Sequence, residues 1–211
     1  MLEFFLDSLV VLTIVVDPIG IAPLFAALTL GDPPQLVRAT AIRGTAIAGV
    51  VLIGFAVVGD RSLQALSITT PAFQIAGGIL LFLIAVDMLF VRHSGLRSTT
   101  ESEQREAQHR KDISVFPLAI PLIAGPGAMT TVLLKVAERD GDAIAVALVV
   151  AALLVILPVT VFVLLSARRI VQLTGETGAN VVTRVLGVVL AALAVQYVID
   201  GVASSFGALR G

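Results

Sequence analysis

The chain has 211 residues, of which 57% are hydrophobic and 14% charged, with a mean hydropathy of +1.03 and a formal net charge of −1. Soluble domains carry about 25% charged residues, so a water-soluble globule is excluded. Zero cysteines and two histidines, both in one polar stretch, argue against disulfide-relay chemistry and against thiolate or imidazole metal centres; no metal or cofactor is expected.

The first apolar run spans about 4–28. Its start, MLEFFLDSL, carries Glu3 and Asp7 where a secretory leader carries basic residues, so the run is expected to stay as a membrane helix. Near its middle stands IVVDPIGIAPLF. Proline removes a helix hydrogen bond and clashes with the preceding turn. Backbone groups freed at membrane depth must be buried in protein or line a cavity. Two readings of Asp17-Pro18 stand side by side. Asp is a favoured N-cap and proline a favoured first helical residue, so the pair can simply start a second half-helix. An ionisable group at that depth also costs at least ~2.5–3.5 kcal/mol, which a purely structural cap such as Asn or Ser avoids. A carboxylate there suits a cation, a proton or a polar solute. Thr13 is expected to bond back to its own helix.

Apolar runs follow at about 40–59 and 71–91. The third contains Gln74, a pore or packing candidate, the packing glycines Gly77 and Gly78, and Asp87 near its inner end, where Arg92 is a candidate partner. The polar stretch RHSGLRSTTESEQREAQHRKD then tethers two halves, with a short amphipathic helix as an option. The fourth run, 115–136, is interrupted by Ala124-Gly125-Pro126-Gly127-Ala128. Two glycines permit close approach to the main chain. A half-helix beginning at Pro126 presents uncapped N–H groups and a positive dipole end, with the Thr130 and Thr131 hydroxyls one turn on. The fifth and sixth runs are 143–165 and 181–206. The sixth carries Gly187, Gln196 and Asp200, the last two candidates for an outer vestibule; Arg43 and Arg184 are read as interfacial anchors.

These runs are continuously apolar and each approaches the ~20 residues of a spanning helix, which favours an all-α polytopic membrane protein over a barrel. With the N-terminus outside, ten Lys and Arg residues fall on the inner side against four on the outer. That bias orients both termini away from the cytoplasm. Three spans per half force opposite orientation. GILLFLIAVDM (78–88) aligns without gaps on GVVLAALAVQY (187–197), and Val16–Gly20 lies over Ala124–Ala128. The expected architecture is two inverted three-helix repeats, 1–91 and 115–211, joined by a polar loop 92–114, with helices 1 and 4 broken. Paired breaks in inverted halves point to a midplane solute site. Its expected members are Asp17, Pro18, Gly20, Gly125, Pro126, Gly127, Thr130 and Thr131, with Asp87, Gln74 and Gln196 ranked lower.

DPIGIAPLFAALT, AGGILLFLIAVDML, FPLAIPLIAGPGAMTTVLL and LAVQYVIDGV together resemble the MarC family of bacterial inner-membrane proteins, more distantly related to LysE-type exporters. The resemblance covers essentially the whole chain. It implies six membrane helices, the cytoplasmic membrane and an undefined substrate. By motif it reaches Asp17, Pro18, Gly20 and Pro23, then Pro121, Gly125, Pro126, Gly127 and Thr131. The central polar loop departs mildly from the family pattern. The leading expectation is a secondary transporter or exporter of a small polar solute, with a coupled proton or cation. No Walker motif offers nucleotide drive. An enzyme is not expected: Asp17 and Asp87 lack the GxGD pattern of intramembrane aspartyl proteases. A non-transporting scaffold or sensor subunit is the alternative. Lipid is the expected surroundings and no nucleic acid is expected. Small packing residues leave room for a homodimer.

Overall fold

The computed structural model describes residues 1–90, 112–139 and 141–208. Eight helical segments follow one another: α1 (Leu2–Val16), α2 (Pro18–Leu28), α3 (Pro34–Ala65), α4 (Thr70–Phe90), α5 (Ser114–Ile123), α6 (Pro126–Ala137), α7 (Ala143–Leu165) and α8 (Ala167–Ala208). No strand occurs among the described residues. Five stretches are long and apolar enough to cross a membrane, and six if α5 and α6, bent by 52° at their junction, are counted as one. α1 and α2 run on as one such stretch, Leu2–Leu28.

Several boundaries differ from expectation. α3 begins at Pro34 rather than 40, because proline needs no N–H partner in a first turn. The expected connection SARRIVQLTGETGAN is helical from Ala167, interrupted only at Gly175 (φ 66°), a backbone setting that glycine adopts without a Cβ clash. α5 is not an α-helix. Pro117 and Pro121 remove two donors, and the residues before them, Phe116 (φ −127°, ψ 127°) and Ile120 (φ −131°, ψ 123°), take the extended conformation that a following proline imposes. Both X-Pro bonds are cis. The hydrogen bonds widen to a five-residue spacing, from Leu118 N–H to Ile113 at 3.2 Å and from Ala124 N–H to Ala119 at 2.8 Å. Of the polar loop expected at 92–114, residues 92–111 lie outside the described residues, Arg92, Arg97, Arg105, Arg110 and Lys111 among them, as does Arg210.

α3 lies on α5 and α6, while α7 lies on α1 and α2; α8 covers α2, while α4 covers α6. The long α4–α8 contact is set by glycines. A methyl built on Gly78 would stand 2.7 Å from the Ala194 carbonyl oxygen and 3.1 Å from the Val198 nitrogen. One built on Gly187 would stand 3.2 Å from the Ala85 carbonyl oxygen and 3.3 Å from the Leu89 nitrogen. The shift that carries Gly78 to Gly187 also carries Ala85 to Ala194 and Leu89 to Val198. Both glycines thus meet backbone at equivalent positions with the partners exchanged, while Gly187 also meets Met88 Cβ at 2.9 Å.

Candidate functional site

Asp17 ends one helix and starts the next. Its N–H donates to the Thr13 carbonyl at 3.0 Å, closing α1. Its own carbonyl accepts from Ile21 at 3.2 Å, opening α2. To serve both, the residue sits in the left-handed region (φ 43°, ψ 67°), which Asp tolerates better than most side chains. The carboxylate is fully buried. One oxygen caps α2 by accepting from Gly20 N–H at 3.0 Å, and the other accepts from the Thr183 hydroxyl of α8 at 2.9 Å. Pro18 takes the first helical position, where no donor is needed. Gly20 is required sterically, since a Cβ there would lie 2.2 Å from Asp17 Oδ2 and 2.7 Å from Thr183 Oγ1. The missing side chain is the space the carboxylate occupies.

The second break has no such side chain. Gly125 precedes α6 in extended conformation (φ −78°, ψ 172°) and gives no side-chain cap, and Pro126 again stands at the first helical position. The spaces left by its glycines are filled by protein rather than open to a ligand. The Pro121 carbonyl lies 2.4 Å from the Cβ position of Gly125, and Ile84 Cδ1 lies 2.6 Å from that of Gly127. What remains is a cavity of ≈ 10 Å³ walled by residues including Val15, Ile84, Pro121, Gly125, Gly127 and Ala128. That is about the room of one water molecule.

The expected site residues fall into separate groups. Asp17, Pro18 and Gly20 meet Thr183; Gly125, Pro126 and Gly127 border or adjoin the small cavity, to which α1 contributes Val15 rather than Asp17. Thr130 packs its methyl toward Gly77, and the buried Thr131 hydroxyl has no protein partner. Gln74 packs at Gly201 in the first turn of α4, and Gln196 donates to Asp200 at 2.8 Å on the exposed side of α8. Asp87 is buried beside Met88, which packs on Gly187. Thr13 donates to Leu9 at 2.6 Å, as expected of a hydroxyl within an apolar helix. Arg43 and Arg184 are exposed.

Two polar centres were not anticipated. Lys135 on α6 is 4% exposed, donates to Asp7 of α1, and donates to both Glu138 oxygens at 2.7 and 2.9 Å. Its ammonium lies 5.9 Å from the Phe4 ring centre and 5.6 Å from that of Tyr197, distances at which ring faces attract a cation. At the other end, Arg168 Nη2 donates to the Thr29 carbonyl at 2.6 Å, where α2 ends. Only Lys135 with Glu138, one helical turn apart, leaves a local signal; Asp7, Thr183 and Arg168 are brought in by tertiary packing.

These features define a multi-span α-helical membrane protein whose first and fourth apolar runs carry helix starts at Asp17-Pro18 and Gly125-Pro126. The profile of the MarC family integral membrane protein matches residues 2–206, and the chain belongs to that family. It is 34% identical to a UPF0056 membrane protein of Methanocaldococcus jannaschii over 95% of this chain and 97% of the relative. It is also 34% identical to the UPF0056 membrane protein YvbG of Bacillus subtilis, over 98% and 97%. The UPF0056 inner membrane protein YhgN of Escherichia coli K12 is 32% identical over 93% and 95%. No solved structure gives a significant match.

Proposed function

We propose that the protein is a secondary transporter or exporter of a small polar solute, built as two inverted three-helix repeats (1–91 and 115–211) whose first helices are each broken at a proline. The observation that carries this reading is the exchanged pair of glycine contacts between α4 and α8. Gly78 meets Ala194 and Val198, and Gly187 meets Ala85 and Leu89, as a two-fold axis in the membrane plane requires. The exchanged packing of α3 and α7 on the broken runs supports the same axis. In such folds the half-helix starts mark the solute site near the midplane. Asp17 supplies a buried carboxylate for a proton or cation, and the uncapped start of α6 supplies donors for an anionic or polar group. The transport cycle needs no covalent chemistry. The name of the E. coli relative supports an inner-membrane location for this chain. The excess of Lys and Arg on one side supports termini facing away from the cytoplasm.

One observation favours the scaffold reading. Gly20 and Thr183 already satisfy both oxygens of Asp17, and the cavity at the second break holds no more than about one water. A transporter in this state is closed on both sides; a scaffold stays so. Reconstituted protein exposed to amino acids, sugars, organic acids and cationic drugs across a pH gradient separates them. Solute-dependent current or flux that Asp17→Asn abolishes supports the transport site. Flux that Asp17→Asn leaves intact reduces Asp17 to a cap. Absence of both current and tracer flux favours the scaffold.

A further inference from the structure

The half-helices that follow the two prolines, α2 and α6, each end in a charged tether, and the tethers lie at opposite ends of the bundle. α6 ends at the Lys135 cluster, which joins it to the first turns of α1 through Asp7. α2 ends at Thr29, whose carbonyl is held by Arg168 at the start of α8; the same nitrogen lies 3.4 Å from the Asp32 carbonyl oxygen. Asp7 and Thr29 lie 22 positions apart along α1 and α2, so the two tethers are about 33 Å apart, close to the thickness of a bilayer's hydrocarbon core.

The α1–α6 seam has one antiparallel register. Asp7 pairs with Lys135 at one end, and Val15 packs on Gly127 at the other. Eight residues along α1 put the ion pair about 12 Å above the cavity at the second break. Lys135, Asp7 and Glu138, with the Phe4 and Tyr197 rings against the ammonium, close the seam on the side of the chain's N-terminus. Arg168 closes the opposite end by fixing the last carbonyl of α2, where a cation also complements the helix dipole. A buried ammonium with three carboxylate oxygens holds its helix firmly while paired, and strongly disfavours the same geometry once a partner is gone.

We infer that these tethers are two latches, one per face, each shutting the path from its own side to the cavity beside Gly125 and Gly127. This rests on the transport reading above. Separation of Asp7 from Lys135 opens the N-terminal face; release of Thr29 by Arg168 opens the other.

The natural chain has no cysteine, so a single introduced thiol reports alone. Ala128→Cys places a thiol on the cavity wall, and a membrane-impermeant methanethiosulfonate reagent is applied to either face of oriented membranes. Asp7→Asn is expected to speed labelling about tenfold from the N-terminal face only. Arg168→Gln is expected to do so from the opposite face only. Leu66→Cys, exposed between α3 and α4, should label alike in every background. If Asp7→Asn does not assemble, Glu138→Gln removes the other carboxylate partner of Lys135 and should act on the same face. Equal acceleration on both faces would mean general loosening and would overturn the proposal. So would a parent Ala128→Cys protein that already labels as fast as the variants, although the pathway would then stand. A thiol that stays unreactive from both faces in all backgrounds would overturn the latches and the pathway together.

Discussion

Gly20→Ala tests the carboxylate arrangement most directly. The added methyl falls 2.2 Å from Asp17 Oδ2 and 2.7 Å from Thr183 Oγ1, so the carboxylate and the hydroxyl must part. A hydrogen bond to a charged group contributes about 1.5–3 kcal/mol, and displacing the carboxylate threatens those from Gly20 and Thr183. Alanine recovers up to ~1 kcal/mol through its better helix propensity. The net expectation is a loss of about 2–3 kcal/mol, or roughly 5–10 °C in melting midpoint for a chain of this size. Far-ultraviolet circular dichroism of detergent-solubilised protein gives the midpoint. Gly54→Ala, where nothing lies within 4 Å, is the control and should be neutral or slightly stabilising. The double-mutant cycle sharpens the test. In an Asp17→Ala background the clash with the carboxylate is gone, so most of the Gly20→Ala penalty should vanish, giving a coupling of about 1–3 kcal/mol. A Gly20→Ala protein that melts at or above the parent, or a penalty unchanged by Asp17→Ala, would refute the steric account.

Gly78→Ala drives a methyl to 2.7 Å from a backbone oxygen and should cost about 1–3 kcal/mol, more than Gly187→Ala, whose nearest contacts are 2.9 Å or longer; paired thermal melts decide this. Thr131→Val removes a buried hydroxyl without a protein partner and should stabilise by about 1 kcal/mol, unless that hydroxyl meets the solute, in which case flux falls while the midpoint rises. Asp112 lies outside the membrane-spanning segments, and the nearby Ser114 hydroxyl, which falls short of a full hydrogen bond, then the Ser114 N–H donating at 2.8 Å, with Arg43 also contributing, hold its carboxyl below the usual 3.8. A lowered folded-state value means that its contribution is present above pH 3.8 and is lost as pH falls below it. Asp112→Asn should therefore narrow the difference in midpoint between neutral pH and about pH 3, and an unchanged difference would count against the cap.

Much of the frame was legible in the residues because membrane insertion leaves so few solutions. Long apolar runs had to be helices, and Asp-Pro inside one could be read as a capped helix start, as it is here, because Asp favours the cap and proline the first helical position. Gly77, Gly78 and Gly187 stood out as close-packing points. The contents of the site were less legible. Asp17 meets Thr183 across 166 positions, and Lys135 meets Asp7 across 128, so neither pairing leaves a local pattern. The glycines of the second break read as open main chain, yet Pro121, Ile84 and Val15 fill them, because only tertiary packing decides what enters a gap. The irregular winding of α5 leaves no periodic signal: Pro117 and Pro121 each remove a donor inside a continuously apolar run, and only the folded backbone shows how the remaining hydrogen bonds recover.

The ring beside the Lys135 ammonium has a spectroscopic consequence. Tyr197 is the only tyrosine in the chain, and there is no tryptophan. Near-ultraviolet absorption above the phenylalanine bands therefore comes from one chromophore, 5.6 Å from the charge that ties α6 to α1. The unmodified protein carries a built-in optical probe of that junction, free of background from the rest of the fold.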